Sequence, residues 1–240
     1  MAKLFPAATS HGSIQQIFEN VFVVLGSVVM GPGIQISRSM TIVRENDELT
    51  LISAIRLNED ELNHLESLGK IKNVVRLGAY HLGHMNGLDD GFYVDRYDAK
   101  LWLLPEMDAK IFDGEIAIMS STHLPLENAD LFVYESSPMP EAILILNQHD
   151  GIAISADSLQ NWWQVDEYFS EQAGVMMTKA GFIKGANIGP EWKRANNPSA
   201  EDFNKVKGLR FKHLLPSHGT PLLNDAKHLI SATINQQFDL

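Results

Sequence analysis

The hydrophobic positions fall into short blocks, separated by turn-forming residues, and the blocks change period along the chain. Asn20–Val29, Ser39–Arg44 and Glu48–Ser53 are rich in Val, Ile, Leu and Thr, and they are split by Gly31-Pro32-Gly33 and Glu45-Asn46-Asp47. This pattern predicts three strands joined by tight turns. The longest apolar run, Val21–Met30, is broken by Gly26 and Ser27 and is roughly half of what a bilayer span requires, so it reads as a buried strand. Asn58 then serves as a helix N-cap, with Glu59, Asp60 and Glu61 in the first turn, where the helix dipole favours negative charge. Leu62, Leu65 and Leu68 give the apolar stripe, and Gly69 stops the helix.

A β-branched run, Ile71–Leu77, follows and opens through Gly78 onto Tyr80-His81-Leu82-Gly83-His84. Lys100–Leu104, Leu131–Glu135, Ala142–Leu146 and Gly151–Ser155 read as further strands, the last delivering Asp157 at its end. A helix-rich stretch is expected from about Leu159 to Val206. The chain then returns through Phe211–Leu215, turns at Pro216-Ser217-His218-Gly219 and closes with a helix near Asp225–Gln236. Strands, helix, strands and helices in that order predict an α/β fold of two mixed sheets packed between helices.

Composition narrows the function. The 240 residues carry 19 Lys and Arg against 30 Asp and Glu, a net charge of −11, with 45% hydrophobic residues. An acidic surface with no basic patch argues against nucleic acid and against membranes as partners. With no cysteine, disulfides and thiolate chemistry are excluded, and any metal must be held by His, Asp or Glu. The first residues lack the apolar segment of a signal peptide, so a cytoplasmic address is expected. No repeat, low-complexity tract or long linker divides the chain, which favours one domain over residues 1–240. There is no GxSxG elbow, P-loop, GxGxxG or HExxH, so the common serine-hydrolase, nucleotide and zinc-protease arrangements are not expected.

Three strand ends remote in sequence each offer a metal-ligating side chain: His81 and His84 after one, Asp157 after another and His218 after the last. In this the chain resembles the metallo-β-lactamase superfamily, from about Phe18 to Ile234, most closely in the segment leading to Asp157 and in Leu214-Leu215-Pro216-Ser217-His218-Gly219. The superfamily's HxHxDH motif is degenerate here. With His84 as its final His, His81 takes the second, Ala79 replaces the first and Gly83 replaces the Asp; the intermediate His falls near Ser136. Asp89-Asp90-Gly91-Phe92-Tyr93 resembles the signature of a divergent branch.

The resemblance implies a four-layer αβ/βα sandwich, with residues 159–210 as a helical insertion covering the site. It also implies one divalent transition metal, zinc first and iron or manganese as alternatives, held by His84, Asp157 and His218 with His81 as a further donor. Two imidazoles and a carboxylate leave a position for water, as in catalytic zinc sites. Asp90 is a candidate replacement for the lost Asp, or a base. Gln160, Asn161 and Trp162, close behind Asp157, are candidates for contact with substrate. The implied activity is hydrolysis of a small ester, thioester or lactone, with a metal-bound hydroxide attacking the carbonyl and Asp157 and Asp90 assisting. The alternative is a catalytically inactive scaffold that binds a small molecule or a protein partner. The expected partner is a small-molecule substrate, and a homo-oligomer stays open.

Plainer roles exist for the same residues. Asp157 can cap a helix starting near Ser158, Asp89 and Asp90 can occupy a helix N-terminus, and His149 and Asp150 suit a hairpin turn.

Overall fold

The computed structural model describes residues 5–80, 88–107 and 114–240. The chain begins with four strands, β1 (Gln15–Phe18), β2 (Val21–Gly31), β3 (Ile34–Glu45) and β4 (Glu48–Ile52), then α1 (Glu59–Leu68), β5 (Lys70–Val75), α2 (Leu88–Tyr97), β6 (Lys100–Leu103) and β7 (Ile116–Ile118). These seven strands form one sheet in sequence order. Its first four strands pair antiparallel, and β4 through β7 pair parallel. The second half supplies β8 (Ala129–Val133), β9 (Ala142–Leu146) and β10 (Ile152–Ser155), then β11 (Leu159–Gln160), α3 (Glu171–Lys179), β12 (Asn187–Ile188), α4 (Pro190–Asn196) and α5 (Ala200–Gly208). It ends with β13 (His213–Pro216) and α6 (Ala226–Phe238). The second sheet runs β13-β10-β9-β8, with β10 and β13 parallel.

Strand alternation sorts the apolar side chains into three layers of core. In β9, Ala142, Leu144 and Leu146 face Val21, Val75 and Leu77 between the two sheets, while Ile143 and Ile145 pack with Trp192, Phe203 and Ile230 beneath the C-terminal helices. On the far side of the first sheet, Val24, Met40 and Val74 pack against Leu62 and Leu65 of α1 and Phe92 and Tyr93 of α2. The period-2 alternation of both sheets thus builds a four-layer helix–sheet–sheet–helix sandwich. Among the described residues no helix is long and apolar enough to cross a membrane.

The N-cap of α1 forms as its sequence predicts: the Asn58 side chain accepts from the Glu61 N–H. Asp89 and Asp90 lie in the first turn of α2, and His149 and Asp150 occupy left-handed turn positions with φ of 51° and 65°. The region after Asp157 differs from the expected helix. Leu159 and Gln160 are extended and pair with Ile188 and Asn187, so the helical part of 159–206 starts only at Glu171. This pairing spans nearly thirty residues and leaves no local periodicity to read.

Candidate functional site

The parallel register of β10 and β13 places Ser155 opposite Pro216. Two residues beyond each strand end come Asp157 and His218, so in-register pairing delivers them side by side. Asp157 Oδ1 and His218 Nε2 are 3.4 Å apart, with the two side chains only 14% and 5% exposed.

The turn carrying His218 is fastened from three directions. Ser217 donates its N–H to the Ser155 carbonyl at 2.9 Å, and Ser39 of β3 donates its own to the Ser217 carbonyl at 2.8 Å. The Ser217 hydroxyl lies 2.6 Å from Ser53 Oγ, and the Ser39 hydroxyl donates to the Gly219 carbonyl at 3.0 Å. Gly219 has φ +97°, and a Cβ there would sit 2.2 Å from the Asn161 carbonyl, so only glycine fits.

Of the three residues expected to meet substrate, Gln160 and Trp162 line a cavity beside His218. The Trp162 ring lies 4.7 Å from the His218 ring, centroid to centroid, and its indole N–H donates to Ser37 Oγ at 2.9 Å. Gln160 donates to the Asp157 carbonyl at 3.1 Å, which braces the turn carrying that carboxylate. Asn161 is committed to the backbone instead, since its amide donates to the Thr220 carbonyl at 2.8 Å and accepts from the Ala186 N–H at 3.0 Å. It ties three backbone segments together and is not in the cavity wall.

The acidic pair on α2 is taken up by two arginines. Arg38 of β3 donates to Asp89, and Arg76, just past β5, donates to Asp90 Oδ2 through Nε at 3.2 Å and Nη2 at 2.9 Å. Burial pushes the Asp90 carboxyl above its usual range, with the Arg76 charge opposing. Asp90, expected as a stand-in ligand or base, is thus bound to a buried guanidinium and does not line the cavity. The rest of the signature is likewise occupied: the Arg56 guanidinium lies 3.8 Å from the Phe92 ring centre, and the Tyr93 hydroxyl donates to the Ile55 carbonyl at 2.8 Å. Ser136, where the intermediate His was sought, donates through its N–H and hydroxyl to Asp202 at 2.9 and 2.5 Å. His81 and His84 lie outside the described residues.

Two residues of the site went unread in the sequence. Arg38 lines the cavity. Glu141, fully buried, accepts the Ser158 N–H and so holds the far side of the Asp157 turn. Burial, reinforced by the Asp157 charge, drives the Glu141 carboxyl well above the carboxylate range. Extending the β9 alternation back by one residue puts Glu141 on the face of Ile143 and Ile145, which is the signal that would have marked it as buried.

The cavity measures about 280 Å³ and has Asp157, Gln160, His218 and Arg38 at its polar side. Two ligands of a tetrahedral zinc ion, each about 2.0–2.1 Å from the metal, lie roughly 3.3 Å apart. The 3.4 Å between Asp157 Oδ1 and His218 Nε2 matches that spacing, so the pair fits a divalent ion as two of its donors. Among the described residues no group of three or more His, Asp or Glu converges.

No protein-family model matches the chain, and no curated protein matches it. Solved structures do. VMB-1 shares 15% identity at a TM-score of 0.64, over 96% of this chain and 99% of that one. The metallo-β-lactamase FIM-1 from Pseudomonas aeruginosa, in its mono-zinc form, shares 12% at 0.60 over 96% and 97%. A metallo-β-lactamase from Hirschia baltica shares 13% at 0.59 over 92% and 97%. With two mixed sheets between helices, and with its parallel strand ends presenting Asp157 and His218, the chain has the metallo-β-lactamase fold.

Proposed function

We propose that the protein is a metal-dependent hydrolase of a small ester, thioester or lactone. Asp157 and His218 would hold one divalent ion, zinc in the first instance, together with His84 and His81. The observation that carries this reading is the 3.4 Å approach of a carboxylate and an imidazole at adjoining strand ends beside a cavity. The mono-zinc form of FIM-1 supports a single ion in this fold. When bound, such an ion supplies Lewis acidity toward a carbonyl and an activated water.

The chain's own residues prepare the place. Trp162 packs against the His218 ring at a tilt of 41°, which restricts the imidazole on that side. Gln160 and Glu141 grip the turn of Asp157 from two sides, which keeps the carboxylate within the tolerance that a site demands. Burial of both side chains lowers the local dielectric and strengthens every charge interaction there.

Elemental analysis of protein purified without a histidine tag tests the reading. Close to one equivalent of transition metal is expected, and Asp157→Ala and His218→Ala should each remove it while circular dichroism stays native. Retained stoichiometry in both variants would discard the ligand assignment. Protein that binds no metal even with added zinc favours the second reading, a small-molecule binder without catalysis that uses the cavity beside Trp162.

A further inference from the structure

The cavity's walls describe the missing half of the substrate. Val28, Ile34 and Ile36 of the β2–β3 hairpin form one side, and Met176 and Met177 of α3 with Phe182 form the other. Trp162 and Trp192, both buried, complete the wall. Separate elements thus converge with mostly apolar side chains, among which Arg38, Gln160 and Glu191 are the polar exceptions away from Asp157 and His218. Methionine is unbranched and flexible, and it moulds itself to chains of varied shape.

The charges point the same way. Arg38 is the cationic side chain at the cavity among the described residues, and its charge is matched by Asp89. The carboxylates in the lining are Asp157 and Glu191, and Glu191 is paired with Arg194 outside. Apart from the proposed ion, a carboxylate or phosphate on the acyl side would meet only Arg38, whose charge Asp89 already matches, and it would lose its hydration in a largely apolar space.

Resting on the hydrolase reading, we infer that the substrate is a neutral ester, thioester or lactone of an unbranched aliphatic acid, its alkyl chain in this cavity and its carbonyl at Asp157 and His218. A cavity of about 280 Å³ has room for an acyl group well longer than acetyl. Hydrolysis breaks the acyl C–O or C–S bond; water gives its hydroxyl to the acyl carbon and a proton to the leaving alcohol or thiol.

The test uses the zinc-supplemented full chain and 4-nitrophenyl acetate, butyrate, hexanoate and octanoate, beside the 4-nitrophenyl monoester of glutaric acid. kcat/KM should rise by about fourfold for each methylene buried, and the anionic monoester should fall at least about tenfold below a neutral ester of equal length, the factor that ~1.4 kcal/mol of desolvation gives. Ile34→Trp, which fills the cavity from the half-buried hairpin, should lower the octanoate-to-acetate ratio. Calorimetric titration of the unmodified protein with N-methyloctanamide, against N-methylacetamide, reads the cavity without any turnover. Binding of the octanamide with no ester hydrolysed would sustain the alkyl pocket and defeat the hydrolase. Ester hydrolysis indifferent to chain length, without octanamide binding, or a preference for the anionic monoester would overturn the pocket and leave the hydrolase standing. Neither binding nor hydrolysis would remove both.

Discussion

Arg38 of β3 donates its guanidinium to the carboxylate of Asp89 on α2, and the two side chains are only 8% and 5% exposed. A residue of the cavity wall is thereby fastened to the first turn of a helix that packs on the same face of the sheet. The neighbouring Arg76–Asp90 pair repeats the device. A buried charge that loses its partner is left uncompensated, at a cost of about 3–5 kcal/mol, whereas an apolar replacement of both partners is often neutral.

Asp89→Ala should therefore lower the unfolding free energy by about 3–5 kcal/mol, a large part of the stability of an ordinary domain. The double variant Arg38→Met/Asp89→Leu should recover most of that loss. Urea unfolding of the two variants and the parent checks it. A double variant as unstable as the single one would show that the pair is not held by the charge balance described.

Gly189 tests how closely the Asp157 turn is packed. Its φ is −54°, which any residue adopts, but a Cβ would stand 2.0 Å from the Asp157 carbonyl oxygen. Gly189→Ala must push that backbone aside, for about 1–3 kcal/mol of overpacking, and the Asp157 carboxylate moves with it. The expected result is a stable fold with reduced metal occupancy, measured by elemental analysis beside the melting curve. Unchanged occupancy would mean that the Asp157 carboxylate is positioned independently of its own backbone.

Much of this site was legible in the sequence because its two ends follow from strand register. A β-branched run followed by Asp157, and another followed by Pro216-Ser217-His218-Gly219, need only parallel pairing to meet. Arg38 was not legible because Ser37-Arg38-Ser39 looks like a polar break, and the strand was read from Ser39, whereas β3 starts at Ile34. Those three polar residues are buried and each has a distant partner: Trp162 for Ser37, Asp89 for Arg38 and Gly219 for Ser39. β1 and β7 were missed for another reason. They are edge strands of four and three residues, too short to show a period, and a partner strand rather than their own sequence makes them strands. The short pairing of β11 with β12 overrode the expected helix in the same way.

His213 gives a pH dependence remote from the cavity. Its Nδ1 accepts the Asn224 N–H at 2.9 Å and its ring packs edge-on to Phe18 at 4.7 Å. Burial, and next the Lys212 charge, hold the His213 imidazole below its ordinary value of 6.5. The unfolded chain then takes up this proton at a higher pH than the folded one, so the contribution to stability is present above 6.5 and fades as pH falls through the native value. His213→Gln should flatten the loss of stability below about pH 6.5, as followed by thermal melts in a pH series. An unaltered acid limb would place the responsible proton on another group.

Zinc itself supplies the last test, because an ion that binds only the folded chain must stabilise it. At a hundredfold excess over its dissociation constant the gain is about 2.7 kcal/mol. Chelated protein should therefore melt at a lower temperature than the same sample with zinc restored. In His218→Ala the increment should largely vanish, since the proposed site then lacks one of its donors, while His213→Gln, equally a buried histidine of the same strand region, should retain it in full at neutral pH. The comparison separates coordination from general histidine affinity: both variants lose one imidazole, but only His218 faces Asp157 across 3.4 Å. Equal increments in both would remove His218 from the ligand set, and with it the case for a metal held between these two strand ends.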